Sequence, residues 1–125
     1  MKIILGLNCY HADSAACIIK NGKIIAAIEE ERINRIKHWA GFPINSIHEC
    51  LKMSNLKFHE ITDIAINTNP KSNILFKIIF FLNKFLISSK IFEIFKRYKN
   101  KFIIKNILKK NFTFNKNLKF HYLDH

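Results

Sequence analysis

Residues 2–28 read Lys2-Ile-Ile-Leu-Gly-Leu-Asn-Cys-Tyr-His-Ala-Asp-Ser-Ala-Ala-Cys-Ile-Ile-Lys-Asn-Gly-Lys-Ile-Ile-Ala-Ala-Ile28. Three short β-rich runs, 2–7, 14–19 and 23–28, are separated by a polar stretch and by Asn21-Gly22. A tight type I′ hairpin turn needs positive φ at both central residues, and Asn-Gly is the pair that adopts it at least cost. The stretch therefore predicts three strands, the second and third antiparallel.

Working outward, Phe42-Pro43 opens the next element. Asn45 or Ser46 is the expected cap, with Glu49 three residues after Ser46 at capping-box spacing. Ile47, Cys50 and Leu51 then share one face of a helix ending near Asn55. Residues 60–67 alternate as a fourth strand, with Ile64 and Ile66 on one side and Ala65 on the other. The order β-β-β-α-β is an α/β layout rather than an all-helical one.

From residue 72 the period becomes helical, because Asn73, Lys77, Lys84 and Ser88 fall in one narrow stripe. A second amphipathic helix is expected from residue 90 to about 110, carrying Ile91, Phe95, Tyr98 and Phe102 on one face. Residues 111–117 read as a loop and 118–123 as a fifth strand. The expected architecture is an α/β mixed sheet in the order β-β-β-α-β-(α-α)-β. Its segments are 1–70, a basic Phe-rich helical insertion at 71–117, and 118–125. A chain that stops just past a strand, with no helix to cover it, reads as an incomplete fold and a fragment of a longer protein.

Composition bounds the partners. Nearly half of the 125 residues are hydrophobic, which excludes a disordered tail or a collagen-like segment. The formal net charge of +12 is concentrated beyond residue 70, where 13 bases face 2 acids, against 8 bases and 7 acids before it. Ile, Lys, Asn and Phe make up 67 of the 125 residues, and all four have A/T-rich codons. Codon bias thus accounts for much of the charge before any polyanion need be invoked. Cys9, Cys17 and Cys50 form no C-x-x-C pair, the pattern of a reducing cytoplasm rather than of a disulfide scaffold or a structural zinc site. The leading apolar run is too short for a signal peptide. Lys77, Asn83 and Lys84 interrupt the most membrane-like stretch, so no membrane insertion is expected.

Two clusters carry chemistry. In the first, residues 8–14, His11 stands two residues from Asp13 in a strand-to-strand turn. An imidazole there suits proton transfer near neutral pH. The plain alternative is a turn in which Asp13 or Ser14 only binds backbone amides. In the second, Glu29-Glu-Glu-Arg-Ile-Asn-Arg-Ile-Lys-His38, a solvated charged turn is the plain reading. As a functional segment it offers Arg32, Arg35 and Lys37 to a phosphate or carboxylate.

Taken in order, several pieces resemble the nodulation-type O-carbamoyltransferase family. They are Ile4-Leu-Gly-Leu-Asn-Cys-Tyr-His11, Asp13-Ser-Ala-Ala16, Asn21-Gly-Lys-Ile-Ile-Ala-Ala-Ile-Glu-Glu-Glu-Arg32, Arg35-Ile-Lys-His38, Gly41-Phe-Pro43 and the helix with Cys50-Leu51. Tyr122-Leu-Asp-His125 is similar to the entry of that family's His-His-x-x-His motif, whose first and last histidines bind a metal. Residues 71–117 match none of its motifs.

The resemblance implies a cytoplasmic two-domain enzyme whose N-terminal part has a ribonuclease-H-like, actin-like ATPase sheet. The C-terminal part makes carbamoyl-adenylate from carbamoyl phosphate and ATP. The N-terminal part passes the carbamoyl group to a hydroxyl of a small molecule, with an iron-type divalent metal bound. By position, His11 matches the family's active-site histidine and Asp13 orients its turn. Ser14, Arg35, Lys37 and His38 edge the substrate, and His125 is the first metal ligand. On this reading the 125-residue chain alone is inert, nucleic acid is not a partner, and a downstream chain would complete the site. The rival reading is a basic amphipathic binding module for anionic membrane or nucleic acid, built on residues 71–117.

Overall fold

The computed structural model of the protein describes residues 1–67 and 104–123. They form one mixed five-stranded sheet with helices on one face. The strands are β1 (Ile3–Asn8), β2 (Ala15–Lys20), β3 (Lys23–Glu29), β4 (Asp63–Ile66) and β5 (Lys119–Tyr122), in spatial order β3-β2-β1-β4-β5. β1 and β2, and β2 and β3, pair antiparallel, whereas β1 with β4 and β4 with β5 run parallel. Three helices complete the described chain: α1 (Glu30–Asn34), α2 (Ile44–Met53) and α3 (Ile104–Asn111).

The hairpin forms where the sequence places it. Asn21 and Gly22 take φ of 50° and 82° between the paired Lys20 and Lys23. β3 is an edge strand, and its register slips between Ile18 and Ile19, leaving Ile24 and Ile25 exposed. A bulge of this kind twists an edge away from pairing with another chain.

Period-two alternation divides β1 between the two faces of the sheet. Ile3, Leu5 and Leu7 are buried with Ile18, Ile64 and Ile66, and onto this layer pack Ile47, Cys50 and Leu51 of α2 and Ile104 and Leu108 of α3. Burial of such side chains is the main source of stability, about 1.5–3 kcal/mol for each large aliphatic. Phe58, Phe112, Phe114 and Phe120 extend the layer, with ring centroids 4.3 Å apart for Phe58 and Phe112 and 6.2 Å for Phe114 and Phe120. Residues 104–123 therefore share one core with the N-terminal strands.

The structure corrects three local expectations. The helix after Phe42-Pro43 begins at Ile44, and neither Asn45 nor Ser46 is its N-cap residue. Its orphan amides are satisfied from outside, because the buried Glu30 carboxylate accepts the backbone N–H of Asn45 at 3.3 Å and of Ser46 at 2.7 Å. The fourth strand starts at Asp63, not at 60: Phe58–Glu60 form a 3-10 turn in which the Glu60 carboxylate accepts the Lys57 N–H. The charged segment after β3 is partly the helix α1, closed by Arg35 in the left-handed region at φ 62°. The helix expected at 72–88 and the first part of the one at 90–110 lie outside the described residues, as do Asp124 and His125.

Candidate functional site

β1 and β4 are parallel neighbours, and their carboxyl ends carry Asn8 and Asn67. In open α/β sheets this is the edge where ligands bind, because loops leaving neighbouring strands part there. Asn67 Nδ2 donates to Asn8 Oδ1 at 2.5 Å, and Asn8 Nδ2 donates to the carbonyls of Asp13 at 2.9 Å and Ala12 at 3.4 Å. Two amides thus clamp the turn at residues 9–14 to the strand ends. Asn67 Oδ1 is buried and finds no partner among the described residues.

Ser14 anchors the same turn from below. It is 1% exposed, and its hydroxyl is within 2.8 Å of the Gly41 carbonyl and 3.2 Å of that of His11. Its N–H donates to Trp39 O, and its own carbonyl accepts Glu30 N–H. A Cβ at Gly41 would lie 2.7 Å from the Trp39 ring, so a side chain there would require that ring to move. The loop from Trp39 to Gly41 is in this way latched against the turn. Glu30 completes the support: besides the two amides it accepts from Asn45 Nδ2 and Ser46 Oγ, each at 2.7 Å. A carboxylate at a helix N-terminus also meets the favourable end of the helix dipole.

The candidate side chains lie above this frame. His11 is exposed, with Nδ1 3.4 Å from the Ala12 carbonyl. Asp13 pairs with His38 rather than with His11: His38 Nδ1 is 3.0 Å from Asp13 Oδ1. The His38 N–H donates to Glu31 Oε2 at 3.1 Å. Arg35 and Lys37 are exposed on the same loop, whereas Ser14 turns its hydroxyl inward. Tyr10, at φ 58° and tilted against Phe42, has its phenol pushed up to about 12 by burial and then by Cys9.

Beside the turn, on the sheet face away from α2, runs a groove of about 670 Å³. Gly6, Ala15, Cys17, Ala27 and Ala65 line it together with Asn8, Asn67, Glu29 and Arg32. These small side chains on adjacent strands are what leave room. Gly6 packs closely here, because a Cβ would come within 2.6 Å of Cys17 Sγ and force that side chain to shift. Burial raises the Cys17 thiol above its ordinary range.

Sequence reading missed Glu30, the Asn8 and Asn67 clamp, and Glu31. Glu30 carried a usable signal: counting by two from Ala26 through Ile28 brings it to the inward parity of β3. His125 lies outside the described residues, so they contain no donor set for an iron-type metal built on it.

Residues 3–120 match the family model described as carbamoyltransferase N-terminus. An uncharacterised protein of Synechocystis sp. is 41% identical over 70 residues, which is 56% of this chain and 11% of that protein. The nodulation protein NolNO of Sinorhizobium fredii is 43% identical over 58 residues, 46% of this chain and 8% of that protein. The chain thus spans about a tenth of the length of these relatives. Among solved structures, YeaZ from Pseudomonas aeruginosa superposes with a TM-score of 0.41 at 12% identity, covering 56% of this chain and 31% of that one. That likeness is too low to assign a shared fold.

Proposed function

The chain belongs to the carbamoyltransferase N-terminus family, and from that premise we propose that residues 1–67 form the acceptor side of a carbamoyl-transfer site. The observation that carries the reading is the exposed His11, borne on a turn clamped to the carboxyl ends of two parallel strands by Asn8, which with Asn67 also lines the groove.

In this reading the donor is carbamoyl-adenylate, made elsewhere in a longer protein from carbamoyl phosphate and ATP. The acceptor hydroxyl oxygen attacks the carbamoyl carbon, the bond from that carbon to the phosphate oxygen breaks, and adenylate leaves. His11 takes the hydroxyl proton. A neutral alcohol is a poor nucleophile, and a positioned base contributes roughly 10²–10⁴-fold in rate. Arg35 and Lys37 offer positive charge to the departing phosphate, with His38 held beside them by Asp13. Ser14 serves through its backbone and its inward hydroxyl, as the anchor of the turn. A divalent ion bound at His125 would add Lewis-acid stabilisation of the leaving group. The sheet order, with two antiparallel and two parallel pairings, supports the actin-like, ribonuclease-H-like fold that this function implies.

The test is a graft. Residues 1–67 replace the matching segment of the Sinorhizobium fredii nodulation protein, and carbamoyl transfer to hydroxyl acceptors is followed by mass spectrometry. Retained transfer is expected from the graft and none from the isolated 125-residue chain. A folded but inactive graft, or turnover by the isolated chain, contradicts the proposal.

A further inference from the structure

We infer that the outer face of the sheet, the one away from α2 and α3, is a docking surface for an amphipathic α-helix supplied by the further polypeptide that the longer relatives carry. Period two puts Ile4 and Gly6 of β1, Cys17 and Ile19 of β2, Ala27 of β3 and Ala65 of β4 on that face, opposite the buried Ile3, Leu5, Ile18 and Ile64. A sheet with one face in water shows polar side chains at such alternate positions. These six are all apolar. Parallel strands, such as β1, β4 and β5, are ordinarily covered by helices on both faces. Among the described residues, α2 and α3 both pack on the inner one.

The shape of the face fits a helix. Register sets Ala27 beside Cys17, Cys17 beside Gly6 and Gly6 beside Ala65, so four small residues form one row across four strands. This row is the floor of the 670 Å³ groove. Native packing density is reached when bulky side chains oppose small ones, so a low floor takes the large residues of a helix laid on it. Four strands span about 14 Å from first to last, and a helix with its side chains is about 10–12 Å across. One helix therefore fills the row and two do not fit. The source of the helix follows from length. The chain matches the N-terminal family model and spans about a tenth of the relatives it resembles, so most of their polypeptide lies outside the matched part and is available as cover. A helix over the middle of the face leaves the carboxyl end, with Asn8 and Asn67, to the site already described. The inference rests on the sheet and on family membership, not on the transfer reading.

Cys17 is the reporter, because it lines the groove whereas Cys9 and Cys50 are buried. Its alkylation by N-ethylmaleimide is timed by mass spectrometry of the peptide that carries it, in the 125-residue chain and in the graft of residues 1–67 into the Sinorhizobium fredii protein. Labelling slower by roughly tenfold or more is expected in the graft, where Cys17 reacts only when the cover opens. Equal rates overturn the inference, whether the groove is then taken by a second copy, seen as labelling of the isolated chain that quickens on dilution, or by the chain's own residues, or stays open in both. Ala65→Lys sets a long charged side chain on the row. It should leave the melting temperature of the isolated chain within about 2 °C, as a substitution on an open surface does, and bring labelling of the graft up to the rate of the isolated chain. Protection that survives this substitution also overturns the inference. A folded graft that protects Cys17 but transfers no carbamoyl group counts against the transfer reading alone.

Discussion

Two aspartate–histidine pairs stand at opposite ends of the same sheet. At the carboxyl end, Asp13 and His38 meet at 3.0 Å with both side chains at least half exposed. At the amino end, Asp63 at the start of β4 meets His121 of β5 at 2.7 Å, with the Asp63 side chain only 9% exposed. The residue types are the same, but the surroundings differ. The Thr62 hydroxyl lies 2.7 Å from Asp63 Oδ2, and this bond, then that from His121, holds the Asp63 carboxyl below its ordinary range. A carboxylate buried between two strands is a structural element even though its His121 partner is half exposed, whereas a pair with both members exposed on a clamped turn contributes little to folding and is free to meet a ligand.

The contrast can be sharpened first with a carboxylate buried as deeply as Asp63 that has no imidazole. Glu30→Leu removes the acceptor for the first turn of α2 and strands the Ser46 hydroxyl and two backbone amides. A loss of about 3 kcal/mol in urea unfolding is expected. A change below about 1 kcal/mol would mean that water replaces the carboxylate without cost.

Asp63→Asn should cost about 1.5–3 kcal/mol, the range for hydrogen bonds to a charged group. Its pH dependence is specific. Because the folded carboxyl titrates below the unfolded one, its contribution is fully present above the unfolded value of about 3.9 and is lost as pH falls through the lower folded value. Parent and variant should therefore converge in stability in strong acid. A constant difference down to pH 2 would contradict the assignment. Asp13→Asn should change stability by less than about 0.5 kcal/mol, as exposed pairs do. A loss as large as that at Asp63 would break the distinction between the two ends of the sheet.

What the sequence could reveal follows from the range of the interactions involved. The Asn21-Gly22 hairpin, the face of α2 and the alternation of β4 are local, and each forms as read apart from shifted ends. Asp13 and His38 were legible separately as candidate site residues, but not as a pair, since 25 residues separate them. The Asn8–Asn67 and Asp63–His121 contacts join residues 59 and 58 apart, and only the sheet order brings them together. The cap of α2 was misplaced for the same reason. A capping-box pattern at Ser46 and Glu49 competed with a carboxylate 15 residues upstream, and the buried carboxylate prevails because it satisfies several donors at once.

The proposal that the carboxyl end of the sheet is the reactive one is tested most directly by His11→Ala in the grafted protein, assayed separately for adenylate formation and for transfer from preformed carbamoyl-adenylate. Transfer should fall by roughly 10²–10⁴-fold while adenylate formation is unchanged. Equal loss of both steps, or transfer that does not depend on His11, would contradict it.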